Sequence, residues 1–168
     1  MTALDDQILI AVRGWLLQAT GLDGSRVRPA DDSGTRPDLP YITIQTVLQG
    51  VEDGRPEKLP GLNGLDEIVE NVRAELTGTV QLDAYGRGGD QLLTIATMRL
   101  QTTAIQQYLA GQMITLEPTG GINDLSILVD NEIEKRFSRD LTLHYTLNFT
   151  DPVGGAEEME NLIFDLNP

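Results

Sequence analysis

The amino-acid sequence predicts an α+β fold: a mostly antiparallel sheet of about four to five strands, with two main helices packed on one face and long loops. Apolar residues recur at three- and four-residue steps near residues 5–20 and 90–110, as in amphipathic helices. They alternate with polar residues near 41–48, 79–85 and 139–149, as in strands with one buried face. The resulting order, α-β-β-α-β-β, favours a sheet covered by helices on one side.

The first predicted helix spans residues 5–20. Gly21 is placed to end it in the left-handed conformation, and Trp15 is expected to anchor the core. Its apolar stripe consists of Ile8, Ala11, Val12, Trp15, Leu16 and Ala19.

Two loops are predicted to flank the first strand. Residues 27–39 are rich in proline and turn residues, and residues 50–65 hold four glycines and two prolines. A loop as long as 50–65 is usually functional or mobile. Between the loops, residues 41–48 alternate, with Ile42 and Ile44 on one side and Tyr41 and Thr43 on the other.

Residues 66–85 predict a long strand that breaks at Gly78. After the glycine cluster 86–89, Asp90 is placed to cap a single helix to about Ala110, and Gly111 closes it. The predicted apolar stripe of this helix is Leu92, Leu93, Ile95, Ala96, Leu100, Ala104, Tyr108 and Leu109.

The C-terminal third contains the clearest strand. Residues 139–149 place Leu141, Leu143 and Tyr145 on one face, continued by Leu147 and Phe149. Before it, residues 113–116 predict a short strand ended by 117–121, and residues 123–131 fit either a turn of helix or an irregular strand. We expect one domain over residues 1–168, with 151–168 as a C-terminal arm or a solvated tail.

The charge is strongly negative. The chain has 26 acids and 12 bases, a net charge of −14, and residues 101–168 hold eleven acids and three bases. This excess argues against a conventional nucleic-acid binder and against an anionic membrane surface as partner. No apolar run is long enough to span a bilayer, and the acidic N-terminus does not resemble a secretory signal.

The residue types that catalysis and metal binding need are scarce. There is no cysteine and one histidine, His144, in the middle of a strand, so a zinc site or a thiol nucleophile is not expected. The glycine cluster before Asp90 lacks the spacing of a phosphate-binding loop. The aspartates at 31, 32 and 38 and those at 124 and 130 lack the calcium-loop spacing. We therefore predict no catalytic, cofactor-binding or metal-binding residue.

Several motifs in their order carry a resemblance. DDQILIAVRGWL is followed by PYITIQ, a glycine-rich loop, QLDAYG entering a helix, DLSILVDNEIEKRFSRDLTLHY and an acidic tail. Over about residues 5–163 the sequence resembles the neck or tail terminator family of tailed bacteriophages.

The resemblance implies a structural virion protein without enzymatic activity. It implies a homo-oligomeric ring, commonly a hexamer, at the head-proximal end of the tail, assembled in the host cytoplasm. Such a ring caps the tail tube, ends its polymerisation and joins it to the head connector, while DNA passes through the lumen without specific binding.

A head-to-tail ring needs two different complementary patches on each subunit. Candidate interface residues are Arg55 and Lys58 in the 50–65 loop, and Arg136, Arg139 and Asp140 around the start of the 139–149 strand. The alternative for Arg136 and Arg139 is local pairing with Glu132, Glu134 or Asp140.

Two other specific functions stay open at this point, and a generic binding module is the fallback. One is a head–tail joining or tail-completion protein of a neighbouring ring. The other is a small acidic metal-dependent hydrolase, which would require a concave pocket with converging carboxylates.

Overall fold

The computed structural model describes residues 3–51, 57–62, 68–129 and 132–152. Within these ranges it has three α-helices, one short 3-10 turn and eight strands, so the predicted α+β class is confirmed. The elements are α1 (Ala3–Thr20), β1 (Val27–Pro29), β2 (Tyr41–Val51), β3 (Glu57–Leu62), β4 (Ile68–Tyr85), α2 (Gly89–Arg99), α3 (Thr103–Gly111), β5 (Ile114–Asp124), β6 (Ile127–Val129), β7 (Glu132–Glu134) and β8 (Arg136–Pro152).

The main sheet has the strand order β1-β2-β4-β8-β5, and β3 pairs with β4 outside this path. Strands β5 and β8 are antiparallel, as are β3 and β4, whereas β1 is parallel to β2. Strands β6 and β7 form a separate antiparallel hairpin. The sheet is thus mostly antiparallel, as predicted.

The chain divides into two compact units. One comprises residues 1–50 and 76–145, and the other comprises residues 51–75 and 146–168. The first unit contains the three helices and the hydrophobic core, and the second contains the paired β3 and the first part of β4. The single domain stays a prediction, and most of the predicted arm lies outside the described residues.

The predicted first helix is confirmed together with its buried stripe. All six predicted apolar residues are buried, and Trp15 and Leu16 have no exposed surface. Gly21 adopts a φ of 71°, and its N–H donates to the carbonyl of Leu17 at 3.0 Å, which ends the helix.

One hydrophobic core lies between the helices and one face of the sheet. The predicted inward residues of three strands belong to it: Ile42 and Ile44 of β2, Val80, Leu82 and Ala84 of β4, and Leu141, Leu143 and Tyr145 of β8. Alternate side chains of a strand point to opposite faces. The burial of these residues therefore confirms the face that the sequence predicts for each of them.

The prediction of one continuous helix to about Ala110 is wrong, because the structure has two helices there, α2 and α3. Gln101 and Thr102 close α2 with N–H bonds to the carbonyls of Met98 and Arg99, and the Thr102 hydroxyl also donates to the Arg99 carbonyl at 2.7 Å. A threonine side chain that bonds the backbone competes with helix continuation. After the break Ala104 is exposed and Ile105 is buried instead. Within α2, Ile95 is exposed as well, whereas Leu93 and Ala96 are buried. The residue at the N-cap of α2 is Gly88, not Asp90.

Both predicted loops contain strands. Val27–Pro29 forms β1 beside β2, and Glu57–Leu62 forms β3 within the predicted 50–65 loop. Pro60 and Gly61 of β3 hide its pattern, since both are rare inside strands and depend on a partner strand to be held there. That partner is β4, where Pro60 lies opposite Glu70.

Two further boundaries differ from prediction. β4 continues through Gly78, which is buried and does not break it. β5 continues through Pro118 to Asp124, because a register shift between Thr119 and Asn123 accommodates Gly120 at a φ of 68°. The ambiguous 123–131 segment contains the end of β5 and the short strand β6.

The difference in burial between Leu93 and Ile95 on α2 can be tested directly. Leu93→Ala removes a fully buried side chain and should lower the free energy of unfolding by about 2–5 kcal/mol. Ile95→Ala, on the same helix but 43% exposed, should change it by less than about 0.5 kcal/mol. Urea unfolding followed by the fluorescence of Trp15 measures both. Equal losses would contradict the burial of Leu93 and the exposure of Ile95 on α2.

Candidate functional site: an arginine and tyrosine cluster beside a mixed-charge pocket

The first unit holds a cluster of aromatic and cationic side chains where two neighbouring strands end. Tyr41 begins β2 and Tyr85 ends β4, and their rings stack with centroids 4.6 Å apart and planes 10° apart. Tyr41 is buried and Tyr85 is half-buried. The burial of Tyr41 raises the pKa of its hydroxyl, so the neutral phenol is the favoured form in the fold.

Two guanidinium groups lie over this stack. Arg36 is 5.5 Å from the centroid of the Tyr41 ring and 5.7 Å from that of Tyr85, and Arg136 is 5.5 Å from Tyr85. These distances are within the range of cation–π attraction. The rings and the two arginines therefore form one contiguous group, which we call the Arg–Tyr cluster (Arg36, Tyr41, Tyr85 and Arg136).

Each arginine of the Arg–Tyr cluster also donates to a carboxylate. Nη2 of Arg36 donates to Oε1 of Glu134, and Nη2 of Arg136 donates to Oδ2 of Asp83 at 2.9 Å. These hydrogen bonds raise the pKa of both guanidinium groups above its ordinary value, because they stabilise the charged form.

Asp83 is the buried member of these pairs. It is 6% exposed and points away from the core face of β4, whose inward residues are Leu82 and Ala84. Its Oδ1 and the Nε of Arg136 are buried without a hydrogen-bond partner in the described part of the chain. A single hydrogen bond therefore compensates the buried charge, and losing it would be costly.

The loop that carries Arg36 is held by a second arginine. Arg28 donates to the carbonyls of Thr35 at 2.6 Å and Asp32 at 2.9 Å, and it pairs with the Asp32 carboxylate at 2.8 Å. The Asp32 side chain accepts from the N–H of Gly34, and this bond lowers the pKa of Asp32. The aspartates of this loop thus include one that caps a turn.

A pocket of about 560 Å³ adjoins the Arg–Tyr cluster. Three bases line it, Arg36, Arg87 and Lys135, together with the acids Glu132 and Glu134. Its apolar walls are Leu39 and Ile133, which are 55% and 64% exposed.

Gly86 joins the segments around this pocket. Its N–H donates to the carbonyl of Lys135 at 2.9 Å, and its φ is 94°. A Cβ at this position would lie 3.1 Å from the Cβ of Leu39. Glycine therefore allows the 86–89 turn to approach both Leu39 and the start of β8.

The five predicted interface residues are placed as follows. Arg136 is in the Arg–Tyr cluster, and its hydrogen bond to Asp83 replaces the local pairing considered above. Arg139 donates to the carbonyl of Gly120 at 3.3 Å, and Asp140 is exposed opposite Thr119.

The other two predicted residues belong to the second unit. Lys58 is exposed on β3, opposite Val72. Arg55 lies outside the described residues.

Sequence reasoning missed Arg36, Tyr41, Tyr85, Arg87 and Lys135. One signal was present: each tyrosine stands at a strand end next to a turn that contains an arginine. The contacts themselves join residues as far apart as 36 and 134, so spacing along the chain could not reveal them.

The single histidine, His144, lies on a strand of the main sheet. His144 lies on β8 opposite Thr115, and its Nε2 is 4.0 Å from Oε2 of Glu117 on β5. Across the described ranges, no group of three or more histidines or carboxylates is arranged to hold a metal ion.

Across the same ranges, no helix combines the length and apolar character that crossing a bilayer requires.

The fold and the cluster define the class of this molecule: an α+β protein in which charged side chains connect strand ends beside an open pocket of mixed charge. A family model described as phage neck terminator protein matches residues 6–165. The chain belongs to that family, which confirms the resemblance noted in the sequence. It is therefore a structural protein of the phage tail or neck, a virion component that interacts with other phage proteins. No curated protein sequence is significantly similar to it.

The pair between Arg136 and Asp83 can be tested by removing one charge. Arg136→Met keeps an apolar stem but leaves the Asp83 carboxylate buried without its donor, so the free energy of unfolding should fall by about 1–3 kcal/mol. Adding Asp83→Asn to this variant should restore part of the loss, because no buried charge remains. Urea unfolding of the single and double variants measures the coupling.

The matched control is Arg73→Met, which breaks the exposed pair between Arg73 and Glu75. It should change stability by less than about 1 kcal/mol, because exposed ion pairs contribute little. An equal effect of Arg73→Met and Arg136→Met would show that the buried pair has no special role.

Proposed function

We propose that this protein forms a ring, a hexamer in the simplest case, at the head-proximal end of the phage tail. The ring caps the tail tube, ends its polymerisation and joins it to the head connector, after assembly in the host cytoplasm. The observation that carries this proposal is the family match over residues 6–165.

A self-association surface supports the ring. In the β6–β7 hairpin, Ile127 is 57% exposed and Leu128 is 69% exposed. Because consecutive residues of a strand point to opposite faces, the hairpin exposes aliphatic surface on both sides, and on one of them Ile133 lies opposite Leu128 and is also exposed. Exposed apolar patches mark protein contact sites. We assign this hairpin surface, Ile127 and Leu128, to the contact between neighbouring subunits.

A head-to-tail ring needs a second, different patch. We assign it to the 50–65 segment, with Arg55 and the exposed Lys58 as its charged residues, and to Asp140 on β8. Arg136 and Arg139 contribute differently, because their side chains hold Asp83 and the Gly120 carbonyl within the subunit. Their role in the interface is to keep the start of β8 in place.

The acidity of the chain suits a conduit for DNA. A net charge of −14 per subunit repels phosphate groups. Each phosphate that a base neutralises would strengthen binding and slow passage. The duplex therefore passes through the ring without being held by it.

Electron microscopy tests the ring and its hairpin contact. Negative-stain images of the purified protein should show rings with a central hole, and addition to growing tail tubes should stop elongation and leave caps at one end. Leu128→Glu should abolish both effects, since it buries a charge in the contact.

Met98→Glu is the matched control, because Met98 is also 69% exposed but lies on α2. Rings of both variants, or of neither, would contradict the hairpin assignment. Tubes that keep growing beside intact rings would point to a joining or completion protein instead of a terminator.

A further inference from the structure

The pocket beside the Arg–Tyr cluster has an unusual composition for so acidic a chain. It gathers three bases, and Arg87 has no carboxylate within ion-pair distance in the part of the chain that the structure describes. Leu39 and Ile133 expose apolar surface on its walls. The pocket therefore offers both positive charge and apolar contact to an incoming segment.

The C-terminal segment has the complementary composition. Residues 153–168 lie outside the described part of the chain and contain four acids and no base. Apolar residues are interleaved with these acids, and the segment reads VGGAEEMENLIFDLNP. Acidic side chains match the bases of the pocket, and the aliphatic and aromatic ones match its apolar walls.

The reach of this segment is sufficient for contact with another subunit. Sixteen residues span up to about 50 Å when extended. A folded domain of this chain length has a radius of gyration of about 15 Å. The segment can therefore extend beyond its own subunit and reach an adjacent one.

We propose that the C-terminal segment of one copy docks in the pocket of the adjacent copy, and this inference rests on the proposed ring. Arg87 and Lys135 bind the glutamates at 157, 158 and 160. Leu39 and Ile133 contact the apolar residues that follow, Leu162 to Phe164. Repeated around a closed ring, each subunit gives one segment and receives one.

The occupant is a mixed peptide and not a nucleic acid, because of the two acids in the pocket. Glu132 and Glu134 line it together with the bases, and they would repel a continuous row of phosphates. The C-terminal segment has only four acids, three of them between residues 157 and 160. It can therefore pair with Arg87 and Lys135 over a short stretch, while its apolar residues contribute contact area.

A peptide of residues 153–168 tests the docking without requiring a ring. The receptor is the full chain with its own acids neutralised (E157Q, E158Q, E160Q and D165N), so that its tail does not compete. Fluorescence anisotropy should show saturable binding. R87E combined with K135E should weaken it by about tenfold or more, as expected from the loss of two exposed charge pairs.

Two controls separate specific pairing from general charge attraction. R26E combined with R99E makes the same charge change at bases that do not line the pocket, and it should leave the affinity within about twofold. A peptide with its four acids replaced by amides should bind weakly. Absence of saturable binding, or equal loss in both double variants, would overturn the inference.

Disulfide formation between copies tests the exchange itself. The chain has no cysteine, so single cysteines report single contacts. A chain carrying Ile133→Cys, mixed with a size-tagged chain carrying Ile163→Cys, should give the mixed dimer on oxidation. Ile10→Cys, on an equally exposed isoleucine of α1 outside the pocket, should not.

The double variant with both cysteines distinguishes a neighbour's tail from the subunit's own. Bonds between chains support the proposal, whereas a bond only within one chain overturns it. Rings without peptide binding or mixed dimers would refute the docking and leave the proposed function intact. Absence of rings would refute the proposed function, and the peptide and disulfide results would then decide whether the segment docks.

Discussion

The first unit depends on the burial of one face of its sheet against the helices. Trp15 and Leu16 of α1 meet the inward side chains of β2, β4 and β8, such as Leu82 and Leu143, in one continuous core. The packing is favourable enough to tolerate a buried Trp15 Nε1 that has no hydrogen-bond partner among the described residues. Because side chains of a strand alternate between faces, this burial also determines which residues project from the opposite face.

The Arg–Tyr cluster follows from this alternation of side chains between the two faces of the sheet. With Leu82 and Ala84 facing the helices, Asp83 must project from the other face, where it is nonetheless buried. Arg136 supplies its counter-charge and at the same time covers the ring of Tyr85. The guanidinium group of Arg136 thus connects the end of β4, at Asp83 and Tyr85, to the beginning of β8. The pocket beside the cluster is lined by residues next to these strand ends, among them Gly86 and Lys135.

Periodicity predicted those elements whose burial is decided by their own residues. The apolar stripe of α1 and the alternation of apolar and polar residues in β4 and β8 can be read from the residues of those elements alone. Prediction failed where a distant partner decides: β3 contains Pro60 and Gly61 and becomes a strand by pairing with β4, and β5 passes through Gly120 by a bulge against β8. The cluster was hidden for the same reason, because Arg36 meets Glu134 across 98 positions of sequence.

The net charge constrains how such subunits can associate. Copies that each carry −14 repel one another, and this repulsion opposes the proposed ring. Contacts between them must therefore be either uncharged or locally complementary. The exposed Ile127 and Leu128 meet the first condition, since apolar burial is independent of charge. Bases concentrated in one pocket meet the second, because at physiological ionic strength dissolved ions screen the interaction between exposed charges beyond about 8 Å. Short-range pairing with an acidic segment can then stabilise a contact between molecules whose total charges have the same sign.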